Sequence, residues 1–426
     1  MGGGLLQLEA YGIQDLVLTG NPQISYFKSV YRRHTNFSIE CIEQTFNTNP
    51  SSEGSIIKSL LERNGDLITS MHLEVLMQGT IDGGANGSNY QNWTNNTGHA
   101  LIDYAEIKIG GHKIDRQYGQ WLDIWNEFTD ENKKEFIILN KHSAKTTYLE
   151  SQTALQNLRM YIPLKFWFNK HTSLAIPIIA LQYHQIEFVL KTRATSSLIN
   201  HDGNTDVIHT TAPNIQLWVD YVYLDTEERR KFSESHHEYL IEQVQFQQET
   251  TSTKTRLNFN HPVKQLIWTI QDKIANSNDL QGDPTVNVSG VAATDGNDWF
   301  NYASLAGTTS EIINSATSNE AFSKMKIQLN GIDRFAARNA SYFRTMHPIQ
   351  IGLKVPEKHI YCYSFALKPA DYQPSGTCNF SKIDTADMIF DNIAGTDANP
   401  AIIRIYALGY NVLRIMNGMG GLAYSN

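Results

Sequence analysis

A chain of 426 residues, 41% apolar and 11% aromatic, is long enough for two domains with a core each and has the composition of an ordinary globular protein. Its formal net charge of −8 excludes a chain that coats phosphate backbones along its length. Three scattered cysteines, Cys41, Cys362 and Cys378, supply neither a disulfide framework nor a zinc site and point to a reducing compartment.

The first 35 residues read as an arm and helix leading into a first domain. The opening Met1-Gly-Gly-Gly-Leu-Leu-Gln7 lacks the basic and long apolar regions of a secretory leader, and Leu6 stands where a myristoylation motif needs Ser or Thr. No stretch reaches the ~18 apolar residues that span a bilayer, so the chain is expected to be made and kept in the cytosol. Asn21-Pro22 predicts a helix start, with Asn as cap and Pro in the first turn. Ile24, Phe27, Lys28 and Tyr31 then share one helical face, and Lys28, Arg32, Arg33 and His34 gather towards the C-terminal end, where positive charge suits the dipole. Such a helix either packs on its own domain or docks on something else.

Residues 36–224 are dominated by short strand patterns and read as a first β domain. Tyr118, Trp121, Leu122, Trp125 and Phe128 recur at helical spacing, a stripe that reads as core packing. Segments 186–190 and 217–224 are rich in β-branched and aromatic residues. The second is apolar on nearly both faces, as a strand buried in a sandwich interior is. The charge-dense segment 225–235 is the expected linker. From 236 to 426 the pattern restarts: Val244 and Phe246 alternate with glutamines, 263–270 is another apolar run, and 402–410 resembles a closing strand. The last strand of each half is thus a Tyr-containing apolar run. Gly418-Met-Gly-Gly421 reads as a flexible tail.

One motif occurs twice. Ile107-Lys-Ile-Gly-Gly-His-Lys-Ile-Asp-Arg116 returns, shortened, as Ile327-Gln-Leu-Asn-Gly-Ile-Asp-Arg334. Each copy reads as a short alternating strand, a glycine turn and Ile-Asp-Arg opening a helix-like stretch, which implies two copies of one β-rich module. Two long polar segments, 78–98 and about 276–319, each lie just upstream of a copy. Their matched slots imply exposed loops rising from one end of a tandem structure.

Chemistry-bearing motifs are missing. No Walker loop, dinucleotide fingerprint, His-Glu-x-x-His or Gly-x-Ser-x-Gly occurs. His236-His237-Glu238 is the tightest histidine cluster, but neighbours on a strand point to opposite faces and ligate one metal poorly. Arg32-Arg33-His34 and Arg229-Arg230-Lys231 read as solvated faces or helix ends. No catalytic residue, cofactor or metal is expected, and the chain is not expected to be an enzyme. Four sequons in the long loops, at Asn86, Asn92, Asn95 and Asn287, are sites where a glycan would fit, although a chain without a leader does not meet the host secretory machinery.

The opening, with Tyr11-Gly12, Asp15, Leu18-Thr-Gly-Asn-Pro-Gln23, Phe27-Lys28 and Tyr31-Arg-Arg-His-Thr-Asn-Phe37, resembles the major capsid proteins of nucleocytoplasmic large DNA viruses. So do His261-Pro-Val-Lys264 with Trp268, Asn330-Gly-Ile-Asp-Arg334, Tyr363-Ser-Phe-Ala-Leu-Lys-Pro369 and Gln373-Pro-Ser-Gly-Thr-Cys-Asn-Phe-Ser381. These blocks run from residue 11 to beyond 380 in the family's order. The resemblance implies an all-β double jelly-roll: two tandem eight-stranded antiparallel sandwiches with short helices, whose long loops form towers on the outer surface. It implies a structural role as a homotrimeric, pseudo-hexagonal capsomer that tiles an icosahedral double-stranded DNA virus, contacting neighbouring capsomers and minor capsid proteins. It places the N-terminal arm near the inner viral membrane, leaves the genome without direct contact, and locates the chain in the virion capsid, made and assembled in the host cytoplasm. Two other readings stand beside it. A jelly-roll carbohydrate-binding or carbohydrate-cleaving protein needs aromatics and acids in one groove, for which the loops offer only Tyr90, Trp93, Trp299 and Tyr302. A minor capsid or spike protein of the same fold would trimerise without lattice contacts.

Overall fold

The computed structural model describes residues 3–81, 91–129, 138–139, 157–201, 208–272, 299–300, 302, 320–393 and 401–424. By contact the chain divides into two units, Met1–Phe37 and Ser38–Asn426. In the first, helix α1 (Gly3–Glu9) and the short turns Ile13–Asp15 and Leu16–Thr19 precede an irregular stretch. The helix expected from Asn21-Pro22 does not form. Asn21 sits at φ 50°, in the left-handed region, whereas an N-cap needs extended backbone. The residue instead turns the chain away from Leu16–Thr19, and the basic residues that follow lie on irregular backbone.

The second unit is built from two sets of strands. The first set is β1 (Phe37–Gln44), β2 (Ile56–Leu60), β3 (Leu67–Met77), β4 (Ile102–Ile109), β5 (His112–Tyr118), β6 (Leu158–Pro163), β7 (Ile186–Thr192) and β8 (Asn214–Leu224). They pair in two sheets, in the orders β1-β8-β3-β6 and β2-β7-β4-β5. The second set is β9 (His237–Thr250), β10 (Lys254–Arg256), β11 (Pro262–Asp272), β12 (Lys324–Leu329), β13 (Ile332–Asp333), β14 (Ile360–Ser364), β15 (Ala386–Asp391) and β16 (Ala401–Met416). Its sheets run β9-β16-β11-β14 and β10-β15-β12-β13. Adding eight to each number turns the first pair of orders into the second. Each half is therefore an eight-stranded jelly-roll, and the chain is a double jelly-roll.

Period-two alternation builds each core. In β3 and β8, Leu73, Val75, Leu217 and Val219 face inward and are buried, while Glu74, Gln216 and Trp218 face outward. The second core holds Trp268, Ile270, Phe343, Tyr361, Met388, Ile403 and Ile405. Among the described residues no helix is long and apolar enough to cross a membrane.

The twice-occurring motif is a hairpin in both halves, β4–β5 and β12–β13. Gly110 and Gly111 have φ 58° and 81°, and Asn330 and Gly331 have φ 50° and 80°. Two consecutive residues at positive φ make the tight turn whose twist suits a hairpin. Ile-Asp of each copy therefore lies on the returning strand and does not open a helix; helix α2 (Gly119–Thr129) begins only after β5. The same turn recurs at Asn417-Gly418, with φ 52° and 79°. The glycine segment expected to be a tail accordingly folds back as a strand, Met419–Leu422, on β16. The expected linker is also ordered: it forms helix α3 (Thr226–Glu234), with Glu227 and Glu228 in its first turn and Lys231 in its last, a charge order that complements the dipole.

The junction between the sandwiches and candidate assembly surfaces

β16 is buried on both faces. Ile403, Ile405 and Ala407 point into the second core, whereas Tyr406 and Leu408 belong to an apolar cluster that continues through the first sandwich. Helix α2 covers this outer face. Trp121 stacks on Trp125 at 5.5 Å between ring centroids and packs against Tyr406 at 5.4 Å. Phe246 of β9 lies 5.0 Å from Tyr406 and 4.6 Å from Tyr118. The aromatic stripe read as core is thus core of the junction, and the sandwiches share one continuous interior.

Charges are sealed into the same junction. The Lys264 side chain is 0% exposed, and its ammonium lies 2.5 Å from Glu242, which also pairs with Lys170. Burial pushes the Lys264 amine down to about 8, with the Lys170 charge adding to the effect. Burial alone would raise the Glu242 carboxyl, but the two ammonium groups outweigh it and hold it below the usual range. Nearby, Lys358 lies 3.0 Å from buried Asp123. Tyr302 also donates to Asp123 at 3.3 Å, and burial followed by that carboxylate raises its phenol well above the usual value.

Asp115 joins the halves directly. Its carboxylate accepts from the Val244 N–H at 3.2 Å, while the Gln243 amide donates to the Ile114 carbonyl beside it. Burial raises its pKa from 3.8 to about 6. Between those values the folded chain keeps a proton the unfolded chain has released, so this contribution to stability is full below 3.8 and is lost as pH rises through about 6. Asp115→Asn cannot ionise and escapes that loss. Its stability relative to the parent is expected to improve by roughly 1–3 kcal/mol between pH 4 and pH 8, read by denaturant unfolding at both. A gap that stays constant with pH would show that Asp115 titrates ordinarily.

Several of the loop residues expected at the surface are buried instead. Asn95 is 3% exposed, which leaves no room for a glycan on the folded chain. Asn92 lies in the short strand Gln91–Trp93, paired with Ile199–His201. Asn86, Asn287 and Tyr90 fall outside the described residues. Trp93 and Tyr302 are buried, and half-buried Trp299 donates from Nε1 to the Ser197 carbonyl at 2.8 Å. The Trp299 carbonyl accepts from Gln120 of one half and Gln271 of the other. These aromatics anchor loops into the junction rather than lining a groove. The polarity of the loops gave no signal for this. Among the described residues, no cluster of His, Cys, Asp and Glu could hold a metal ion.

Residues 25–225 match the family described as major capsid protein N-terminus, and residues 228–421 match large eukaryotic DNA virus major capsid protein. The chain belongs to the major capsid proteins of large eukaryotic DNA viruses. This capsid protein is 40% identical to the major capsid protein of Pyramimonas orientalis virus and 39% identical to that of Paramecium bursaria Chlorella virus 1, with 100% of both chains covered in each comparison. Its structure is similar to a chain of the quasi-atomic model of the PBCV-1 virus capsid, with TM-score 0.75 and 35% identity over 94% of this chain and 100% of that one. The Faustovirus major capsid protein shares the fold, with TM-score 0.73 at 14% identity over 97% of this chain and 96% of that one. The family is structural and not enzymatic, and the carbohydrate-directed reading finds no support.

Proposed function

We propose that this capsid protein assembles as a homotrimeric capsomer with a pseudo-hexagonal outline, which tiles the shell against neighbouring capsomers. The observation that carries this is the repeated strand order: one chain presents two sandwiches of the same topology. Three copies then give six similar sandwiches, so threefold symmetry imitates sixfold contact. In this reading 36–224 and 236–426 are the two jelly-rolls and 225–235 joins them. Residues 1–35 form a docking arm at the inner base, towards minor capsid proteins and the inner viral membrane. The arm's exposed Leu8, Ile13, Val17, Phe27 and Tyr31 support that role. Asn86, Asn92 and Asn287 stay the positions where a glycan would be accommodated. Assembly takes place in the host cytoplasm, and the net charge of −8 suits a shell that does not hold the genome.

Light scattering coupled to size exclusion tests the reading. The expected species has about three times the 48.2 kDa chain mass. A stable, folded monomer at micromolar concentration would overturn it.

A further inference from the structure

The two sandwiches share a topology but not an environment. The outer face of β9-β16-β11-β14 is covered by α2, which lies between β5 and β6 and is buried from Gly119 to Phe128. The corresponding face of the first sandwich, on β1-β8-β3-β6, is open. Gln216, Trp218 and Asp220 of β8 face outward on it, in register with Glu74, His72 and Ser70 of β3, and all six are half-buried. Asp220 accepts from Ser70 and is hydrogen-bonded to the exposed Cys41, which sets Cys41 and Ile39 of β1 on the same face. Ile39 is 55% exposed. The Trp218 indole nitrogen is buried without a hydrogen-bond partner. A monomer leaves this side of β8 only half covered, with Trp218 as its large apolar residue between Gln216 and Asp220.

The second half carries the complementary feature. In the slot that corresponds to α2, between β13 and β14, lie the helical turns Tyr342–Met346 and His347–Gln350. Phe343 is buried in the second core, but Met346 is exposed and Ile349 is 59% exposed. The exposed Arg338 guanidinium lies over the Tyr342 ring at 4.5 Å, beside these turns. It offers positive charge to a face that carries Asp220, held by Ser70, and Glu74, paired with Arg159 at 3.1 Å on the same face.

We propose that the outer face of β1-β8-β3-β6 is covered by the helical turns 342–350 of a second copy of this chain, repeating between chains the packing that α2 makes within one. The inference rests on the capsomer reading and names its contact. The surface that receives and the helix that inserts lie on different sandwiches of one chain, so the contact is head-to-tail and closes only as a ring.

The test places a charge on each side and measures mass alongside the parent chain. Trp218→Asp and Ile349→Asp are each expected to convert the trimer to monomer, raising the concentration needed for half-assembly at least about thirtyfold. Ile39→Asp changes an exposed position that the monomer tolerates, and gives the same result where Trp218→Asp fails to fold. Leu60→Asp, an exposed apolar site on the opposite sheet, leaves the trimer intact. Trimers that survive both Ile39→Asp and Ile349→Asp would overturn this surface and leave the capsomer reading standing. A monomeric parent chain would overturn that reading, and this contact with it.

Discussion

Glu242→Ala is expected to destabilise the folded chain by about 3–5 kcal/mol, the usual cost of stranding a buried charge. Lys264 is fully buried, and Glu242 is its counter-charge at 2.5 Å; the neighbouring Tyr410 ring, 5.2 Å from the ammonium, offers only a weak substitute. Lys170 is partly exposed and can turn towards water when Glu242 is lost. The cost therefore falls mainly on Lys264. A shift of the denaturant midpoint without a change of slope measures it. Two further results separate a stranded charge from lost packing. Lys264→Met added to Glu242→Ala should recover much of the loss, because the unpaired ammonium is gone. The Lys264 amine is already held at about 8 in the parent, against 10.5 when unfolded. A depressed lysine costs stability wherever it is charged, and that cost fades as pH rises from the folded value towards the unfolded one. Without Glu242 the amine is depressed further, so the deficit of the variant should shrink as pH rises. A deficit that does not change with pH and is not relieved by Lys264→Met would place the loss in packing.

This charge cluster was illegible in the sequence. Lys170, Glu242 and Lys264 stand far apart, no periodicity links them, and a glutamate on a strand reads as a solvated residue. Strands were legible where apolar residues alternate, as Val244 and Phe246 do on β9, and where a largely apolar run is buried on both faces, as on β11. The tandem of two β-rich modules was legible through the motif that occurs twice, and the jelly-roll itself through the family resemblance. What the motif formed was misread: Gly110-Gly111 and Asn330-Gly331 select a two-residue hairpin turn, and the Asn-Gly pair is a strong short-range signal for one. Asn417-Gly418 carries the same signal where a loose tail was expected. Loop polarity misled in another way. Asn96 is buried while its amide donates to Asp123 of α2 at 2.8 Å and lies 3.0 Å from His99 Nδ1, so part of a polar segment became interior through hydrogen bonds. The reading of 217–224 as a strand buried on nearly both faces fails on its outward side, where Trp218 and Asp220 are half-buried. β16, its counterpart, has both faces covered within the chain, and β8 has one.

Trp121→Ala should show how far the two sandwiches depend on one another. The indole is buried between Trp125 and Tyr406 and belongs to the cluster that unites the first sandwich with the outer face of β16. Truncating a buried tryptophan typically costs about 3–5 kcal/mol, part of it from the cavity left behind. That loss is unevenly shared. The second sandwich keeps its own core, in which Trp268 packs on Phe343 at 5.5 Å and Phe322 on Tyr361 at 4.8 Å, none of it touching the site. The first sandwich has no separate core, since its interior and the junction are one cluster. Calorimetry of the parent chain should therefore give one cooperative transition, and Trp121→Ala should split it, with the first sandwich melting ahead of the second. A single transition moved intact to lower temperature would mean that the buried charges Asp115, Glu242, Lys264 and Asp123 hold the halves together without the aromatic stack. In either case the junction decides whether the two halves act as one rigid block. A contact between copies that repeats this junction needs that rigidity, because a ring closes only when the angle between the sandwiches is fixed.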